Sequence, residues 1–231
     1  AWAGGIGAIA FLLVAKRQDW YDRVFQIMLA SAIGWGIGGV ISYGMVVGYG
    51  RGSDFINVYY GISMLFVIGA LYGVLGGGLF ALSLADTGAT RIKWHVLFVE
   101  MVAMALLTYG LLINELEWLM TPPRSELWAA CLGASLALIW HTIRIGELRV
   151  LKIALWSGIG AGFGFASGNA LQVIGSSFSI PVNLWNVMEY SIGFWGGLGM
   201  TYATLTSSWP AAVETPSMNL TFLPLLLVML F

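Results

Sequence analysis

Two stretches of the sequence, 126 residues apart, decide the fold. The first is RVFQIMLASAIGWGIG, which begins at Arg23, and the second is RVLKIALWSGIGAGFG, which begins at Arg149. They share nine identical positions out of sixteen, and three of these are glycines at the same spacing. Both stretches are mainly apolar, which predicts helices at membrane depth, and their agreement indicates an internal duplication.

The same offset aligns other positions of the sequence. Gly7 falls on Gly133, and Leu220 falls on Trp94, so the apolar run at the end becomes the partner of the fourth predicted helix. The sequence therefore predicts an all-α polytopic membrane protein made of two tandem four-helix repeats. Because four crossings return the chain to its starting side, the copies run parallel, and a pseudo-twofold axis along the membrane normal relates them.

The composition excludes a soluble globular protein. Of the 231 residues, 59% are apolar and 9% are charged, and the mean hydropathy is +0.86. Average soluble domains contain about 25% charged residues. The net charge of −1 predicts no nucleic-acid partner, and the single cysteine, Cys131, allows no internal disulfide and no metal cluster.

Apolar runs between charged or Pro/Gly-marked breaks predict about eight membrane helices, the last of them truncated. Their limits are 2–15, 24–49, 57–85, 94–113, 127–141, 151–175, 184–206 and 220–231. The first repeat then covers 1–113, an extracytoplasmic connector covers 114–126, and an incomplete second repeat covers 127–231. Because a crossing needs about 20 residues, the short last run leads us to expect a fragment of a longer protein.

The basic residues predict the orientation of the chain. Loops 16–23, 86–93 and 142–152 hold eight of the ten lysines and arginines, and the opposite side holds only Arg51 and Arg124. Short cytoplasmic loops carry such an excess of positive charge. These three loops are therefore predicted to be cytoplasmic, in a bacterial-type inner (plasma) membrane.

Six glycines at matched positions predict close helix packing. On a helix, small residues four apart form a groove that a neighbouring backbone can enter. A dinucleotide-binding loop is excluded because no strand precedes these glycines. A narrow solute path lined by backbone carbonyls is the alternative interpretation. The six residues are Gly34, Gly36, Gly38, Gly160, Gly162 and Gly164.

Two carboxylates, Glu100 and Glu189, are predicted to lie at membrane depth. A charged side chain at the centre of a membrane helix costs at least about 2.5 kcal/mol, so each needs a physical reason. The duplication reproduces neither, because Glu100 falls on Leu226 and Glu189 on Ser63. We predict a proton relay at Glu100 and a binding role for Glu189. A protonated or hydrogen-bonded structural acid is the alternative for both.

Polar side chains gather around Glu189 on two predicted helices. Three recur at helical spacing within 183–190, and two more lie three residues apart within 151–175. A hydrogen-bond cluster between helices is the alternative interpretation. The predicted substrate-binding residues of this outward-facing pocket are Glu189, Asn186, Asn183, Tyr190, Asn169 and Gln172.

The remaining polar features predict less specific roles. His95 and His141 lie at cytoplasmic helix ends among basic residues, which favours an ordinary interfacial role over haem or metal ligation. No cofactor and no bound metal are predicted. Loop 114–126 contains Glu115, Glu117 and Glu126, and it is predicted to be a solvated connector, with a cation-attracting vestibule as the alternative.

Two functions remain open from the sequence. The first is a secondary transporter or permease for a small solute. The second is a membrane-embedded scaffold or assembly subunit, or the membrane half of a larger protein with a separate soluble domain. A membrane enzyme has no supporting motif. The expected partners are the lipid bilayer and a small-molecule solute, and a protein partner or a homo-oligomer is also open.

Overall fold

The computed structural model describes residues 1–87, 91–178 and 181–209, and this part of the chain is all-helical, as predicted, without strands. The helices are α1 (Trp2–Ala15), α2 (Gln18–Tyr21), α3 (Val24–Gly38), α4 (Gly44–Gly50), α5 (Phe55–Ala85), α6 (Trp94–Tyr109), α7 (Leu127–Arg144), α8 (Leu148–Ser177) and α9 (Leu184–Leu205). A π-helical turn, Gly110–Glu115, extends α6.

Four helices in the described ranges are long and apolar enough to cross a membrane, which is fewer than the eight predicted. They are α5, α6 with its π-helical turn, α7 and α8. At 1.5 Å per residue, the 14 residues of α1 and the 15 of α3 rise only about 21–23 Å, against a hydrocarbon core of about 30 Å. Helix α9 has 22 residues but is less apolar, and 220–231 lies outside the described residues.

The predicted crossing at 24–49 is two helices, not one. Helix α3 ends at Gly38, and α4 begins at Gly44 after an irregular segment. The segment begins with Gly39 and continues with the β-branched pair Val40 and Ile41, residue types with low helix propensity. The apolar run is therefore longer than either helix that it forms.

Helices α5 and α8 form the centre of the bundle and run antiparallel. A Cβ atom at Gly69 would lie 2.4 Å from the backbone oxygen of Ala161, and one at Gly73 would lie 2.2 Å from that of Ser157. Only glycine allows two backbones to approach so closely. The long α5 begins at its N-cap Asp54, whose side chain accepts the backbone N–H of Asn57 at 3.0 Å.

The basic loops meet at one end of the bundle. Arg23 donates to the backbone oxygen of Ser83 at 2.6 Å, which ties loop 16–23 to the end of α5. Trp20 packs edge-on against Trp209 with ring centroids 5.3 Å apart, and the guanidinium of Arg149 lies 4.9 Å from the same Trp209 ring. Loops 16–23 and 142–152 are therefore neighbours. They lie beside the end of α5, where loop 86–93 begins.

Glu126 is not the solvated connector residue that the sequence predicts. Its carboxylate accepts the backbone N–H groups of Met120 at 2.9 Å and Thr121 at 2.8 Å, and the indole N–H of Trp128 at 2.8 Å. The residue is only 5% exposed. The hydrogen bonds of Glu126 therefore connect the connector to the start of α7.

Candidate functional site

A cavity of about 640 Å³ lies between α1, the break after α3, and α9. Glycine, alanine and large apolar side chains form most of its wall, which also includes Tyr43, Tyr72 and Tyr190. Among the described residues that line it, Glu189 is the one with a charged side chain. The cavity therefore combines an apolar body with a single carboxylate.

Trp35 of α3 separates the helices around this cavity. A Cβ atom at Gly4 of α1, Gly76 of α5 or Gly196 of α9 would lie 2.5–2.6 Å from an atom of the Trp35 indole. The ring therefore occupies space that glycines leave free on three helices. Because a large ring fills this space, α3 and α9 do not meet backbone to backbone, and the cavity stays open beside them.

Two neutral donors hold the carboxylate of Glu189. The Tyr43 hydroxyl donates to Oε1 at 2.5 Å, and the Trp185 indole N–H, one helical turn before Glu189, donates to the same oxygen at 2.8 Å. The Tyr43 ring stacks on Trp185 with centroids 6.0 Å apart and meets Phe165 edge-on at 5.0 Å. In the described ranges, no group donates to Oε2 of Glu189.

This arrangement leaves Glu189 able to bind one more polar group. Tyr43 and Trp185 are neutral, and no salt bridge involves Glu189 within the part of the chain that the structure describes. A carboxylate in a mainly apolar wall binds a hydrogen-bond donor or a cation strongly, because water screens the interaction less than at a surface. The site can therefore hold a molecule that presents such a group.

The remaining predicted residues on α9 have different positions. Tyr190 lines the cavity with Glu189 and is 70% exposed. Asn183 is the N-cap of α9, and its side chain accepts the backbone N–H groups of Trp185 and Asn186. Asn183 and Asn186 do not line the cavity. Asn183 therefore caps the N-terminus of α9.

Asn169 and Gln172 of α8 are buried outside the cavity. The amide nitrogen of Asn169 lies 3.9 Å from the sulfur of Met188, and its oxygen faces Gly50 of α4. The side-chain oxygens of Asn169 and Gln172 have no hydrogen-bond partner among the described residues. Of the six predicted binding residues, Glu189 and Tyr190 are thus the pair that the structure brings to one cavity.

Glu100 pairs with basic side chains of the neighbouring helix. Its Oε1 lies 2.6 Å from Nη2 of Arg144, and its Oε2 lies 2.9 Å from Nδ1 of His141. This contact joins α6 to α7 and gives a structural reason for an acid in an apolar helix. A proton relay at Glu100 stays a prediction. No three His, Cys, Asp or Glu side chains form a metal-binding group in the described residues.

Tyr43, Trp185 and Trp35 were not predicted from the sequence as site residues. Tyr43 lies at the end of the irregular segment that follows two glycines, and this composition was the signal for a broken helix. Trp35 falls on Ala161 when the two similar stretches that begin at Arg23 and Arg149 are aligned, and the flanking glycines are identical. A large side chain in one stretch and a small one in the other was the signal for a difference in packing.

Comparisons of the chain with protein-family models, with curated proteins and with solved structures find no match. The assignment of the cavity as the candidate site therefore depends on the residues that line it.

Proposed function

We propose that the protein is an integral membrane protein that binds a small solute at Glu189 and carries it across the bilayer as a secondary transporter or permease. The observation behind this proposal is the cavity of about 640 Å³ whose apolar wall contains Glu189, with Tyr43 and Trp185 on one carboxylate oxygen. Sites for small molecules commonly have volumes of about 300–1,000 Å³ and a few polar groups in an apolar wall.

The composition of the wall supports one class of solute. Aromatic and aliphatic side chains favour an apolar body, and Oε2 of Glu189, to which no described group donates, favours one hydrogen-bond donor or one positive charge. We therefore propose a small amphipathic cation or amine as the ligand. A strongly hydrated anion is disfavoured, because Glu189 repels it and the cavity wall has no lysine or arginine in the described residues.

The broken helix supports a transport function. The segment between α3 and α4 contributes Gly39 and Tyr43 to the cavity wall. Irregular backbone at membrane depth is tolerated where it is buried in protein or lines a cavity, and transporters place broken helices at their substrate sites.

The helix contacts support two parallel copies of one unit. Gly34 of α3 approaches the backbone of Leu75 in α5, and Gly160 of α8 approaches that of Trp195 in α9, with an added Cβ 2.4 and 2.2 Å from the respective oxygens. Helices α3 and α8 both run antiparallel to α5, so they are parallel to each other. The contacted positions, Leu75 and Trp195, are 120 residues apart rather than 126, so α9 is shifted along α8 relative to the sequence alignment.

We also propose that the end of the bundle where Arg23 and Arg149 lie faces the cytoplasm of a bacterial-type inner membrane. The clustering of the basic loops at this end supports that orientation. The Glu189 cavity then opens in the outer half of the bilayer.

The test uses ethidium, a fluorescent aromatic cation, as the probe for the purified protein. Glu189→Gln keeps the size of the side chain and an oxygen for Tyr43 and Trp185, but it removes the charge. We expect ethidium to bind at least about tenfold more weakly, because a charge-assisted contact contributes about 1.5–3 kcal/mol. Glu115→Gln, at an exposed acid of the connector, should bind ethidium as the wild type does. Equal affinity of Glu189→Gln and wild type would contradict the proposal.

The alternative function, a membrane scaffold or assembly subunit, is favoured by one observation. Helix α6 presents Val99, Val102, Leu106 and Leu107 outward, each at least 58% exposed, as a face for lipid or for a partner helix. A scaffold does not need a free carboxylate in a cavity. Loss of ethidium binding on Glu189→Gln therefore supports transport, and unchanged binding leaves the scaffold as the better explanation.

A further inference from the structure

We infer that two buried amides of α8, Asn169 and Gln172, form a binding site for a monovalent metal cation where α8 meets the end of α4. The site is separate from the Glu189 cavity, whose wall includes neither amide. A cation would bind there whether or not the protein transports a solute, so this site goes beyond the proposed function.

The two amides share one buried face of α8. They lie three residues apart, so both are on the same side of the helix. Asn169 is 0% exposed and Gln172 is 4% exposed. Oδ1 of Asn169 and Oε1 of Gln172 have no hydrogen-bond partner among the described residues. A buried oxygen without a partner destabilises the fold, so these two oxygens indicate a bound group.

The polar groups of the surrounding helices are already engaged. The amide nitrogen of Asn169 lies 3.9 Å from the sulfur of Met188, which is a weak acceptor. The hydroxyls of Ser167, Ser176 and Ser191 donate to backbone oxygens of their own helices at 2.7–2.8 Å. A hydroxyl has one hydrogen to donate, so these three serines do not serve the amide oxygens.

The end of α4 lies against this face of α8. A Cβ atom at Gly50 would lie 2.3 Å from Oδ1 of Asn169, so the amide oxygen occupies space that this glycine leaves free. Helix α4 ends at Gly50, and the C-terminal end of a helix carries a partial negative charge. Arg51, the next residue, is exposed, so its charge is not buried with the two amides. The end of α4 therefore favours a cation beside the Asn169 oxygen.

The chemistry of these groups favours a monovalent ion. Hard metal cations bind oxygen ligands, and transporters coordinate sodium at the C-terminal ends of broken helices. Calcium and magnesium sites normally include carboxylates. In the described ranges, no carboxylate forms a hydrogen bond with Asn169 or Gln172. A pair of neutral amides therefore fits sodium better than a divalent ion.

A bound cation would join α4 to α8. Tyr43, directly before α4, donates to Glu189 of α9, and Gly50 at the other end of α4 meets Asn169 of α8. The cation and the Glu189 carboxylate would therefore hold opposite ends of this short helix. A ligand that binds only the folded protein raises its melting temperature as the ligand concentration increases.

The test measures the melting temperature of the purified full chain in detergent, with N-methylglucamine chloride replaced by sodium chloride at constant ionic strength. We expect sodium at about 100 mM to raise the melting temperature by at least 3 °C. Gln172→Met keeps the length of the side chain but removes the oxygen, so it should abolish this rise. Gln18→Met, the same substitution at a partly exposed amide of α2, is the control and should keep it.

Glu189→Gln separates the amide site from the cavity. The rise with sodium should persist in this variant, because the charge that it removes is not at the amides. A wild type without a rise would overturn the inference, since a water molecule on the two oxygens does not respond to sodium. A rise that Glu189→Gln abolishes and Gln172→Met retains would also overturn it, by assigning the ion to the cavity.

Ethidium binding separates this inference from the proposed function. Gln172 does not line the cavity, so Gln172→Met should bind ethidium as the wild type does. If ethidium binding depends on Glu189 while sodium has no effect, the cation site is wrong and the proposed function stands. If sodium acts through Gln172 while ethidium binding is independent of Glu189, the proposed function fails and the cation site stands.

A second pair of variants leaves both amides in place. Gly50→Ala adds a methyl group where Oδ1 of Asn169 lies, so it should displace this oxygen and abolish the rise with sodium. Gly48→Ala in the same helix adds a methyl group that meets no atom of the described residues, and it should keep the rise. Equal responses of the two variants to sodium would contradict the inference.

Discussion

The interface between α5 and α8 and the cavity between α1, α3 and α9 are both rich in glycine, but they are packed differently. At the α5–α8 interface, added Cβ atoms at Gly73 and Gly77 would lie 2.2 and 2.5 Å from atoms of Ser157. Around the cavity, no atom of another described element lies within 4 Å of such a Cβ at Gly193 or Gly197 of α9. Glycine-rich faces therefore permit close packing but do not by themselves produce it.

The two regions differ in the side chain that faces the glycines from the neighbouring helix. Ala161 of α8 allows Gly69 of α5 to approach its backbone, whereas Trp35 of α3 fills the space beside Gly196 of α9. In the bilayer, contact between helices comes mainly from close packing, so a bulky ring at this position replaces a backbone contact with a cavity. One large side chain thus explains the opening beside Glu189.

The largest expected effect comes from removing that ring. Trp35→Ala should lower the free energy of unfolding by about 3 kcal/mol, because the space that the ring fills on three helices becomes empty. Ethidium should also bind more weakly, since the wall of the cavity changes shape. Denaturant unfolding in detergent measures the first effect and fluorescence titration the second. Trp35→Phe, which keeps a ring, should lose less than half as much stability.

A smaller effect should separate the two glycine faces. Gly73→Ala should lower the free energy of unfolding by about 1–3 kcal/mol, since its methyl group collides with the backbone of Ser157. Gly193→Ala should be neutral or slightly stabilising, because alanine favours the helix and its methyl group meets no atom of the described residues. The same unfolding experiment compares both variants. A similar loss in both would mean that the two faces are packed alike.

The sequence predicted the class of the fold and part of its geometry. Composition and apolar runs indicated a helical membrane protein, and the part of the chain that the structure describes is all-helical, with four helices long and apolar enough to cross a membrane. The number of crossings was overestimated because hydropathy reports where a chain is apolar, not where a helix ends. At 24–49, the glycines and β-branched residues after Gly38 break one apolar run into two helices.

The candidate site was predictable only in part. Glu189 was identified because a carboxylate in an apolar run is costly, which is a local property of the sequence. Its partner Tyr43 is 146 residues away, and no local pattern reports a contact over that distance. Helical spacing placed Asn169 and Gln172 on one face of α8, but it could not indicate that this face packs away from the cavity.

The most direct test of the open cavity and its carboxylate is protection of a thiol placed in the wall. With Cys131→Ser, Gly193→Cys should react with N-ethylmaleimide, and ethidium should slow this reaction. When Glu189→Gln is added, the thiol should still react, and ethidium should no longer protect it. A thiol at position 193 that does not react, or equal protection with and without the Glu189 carboxylate, would contradict the account.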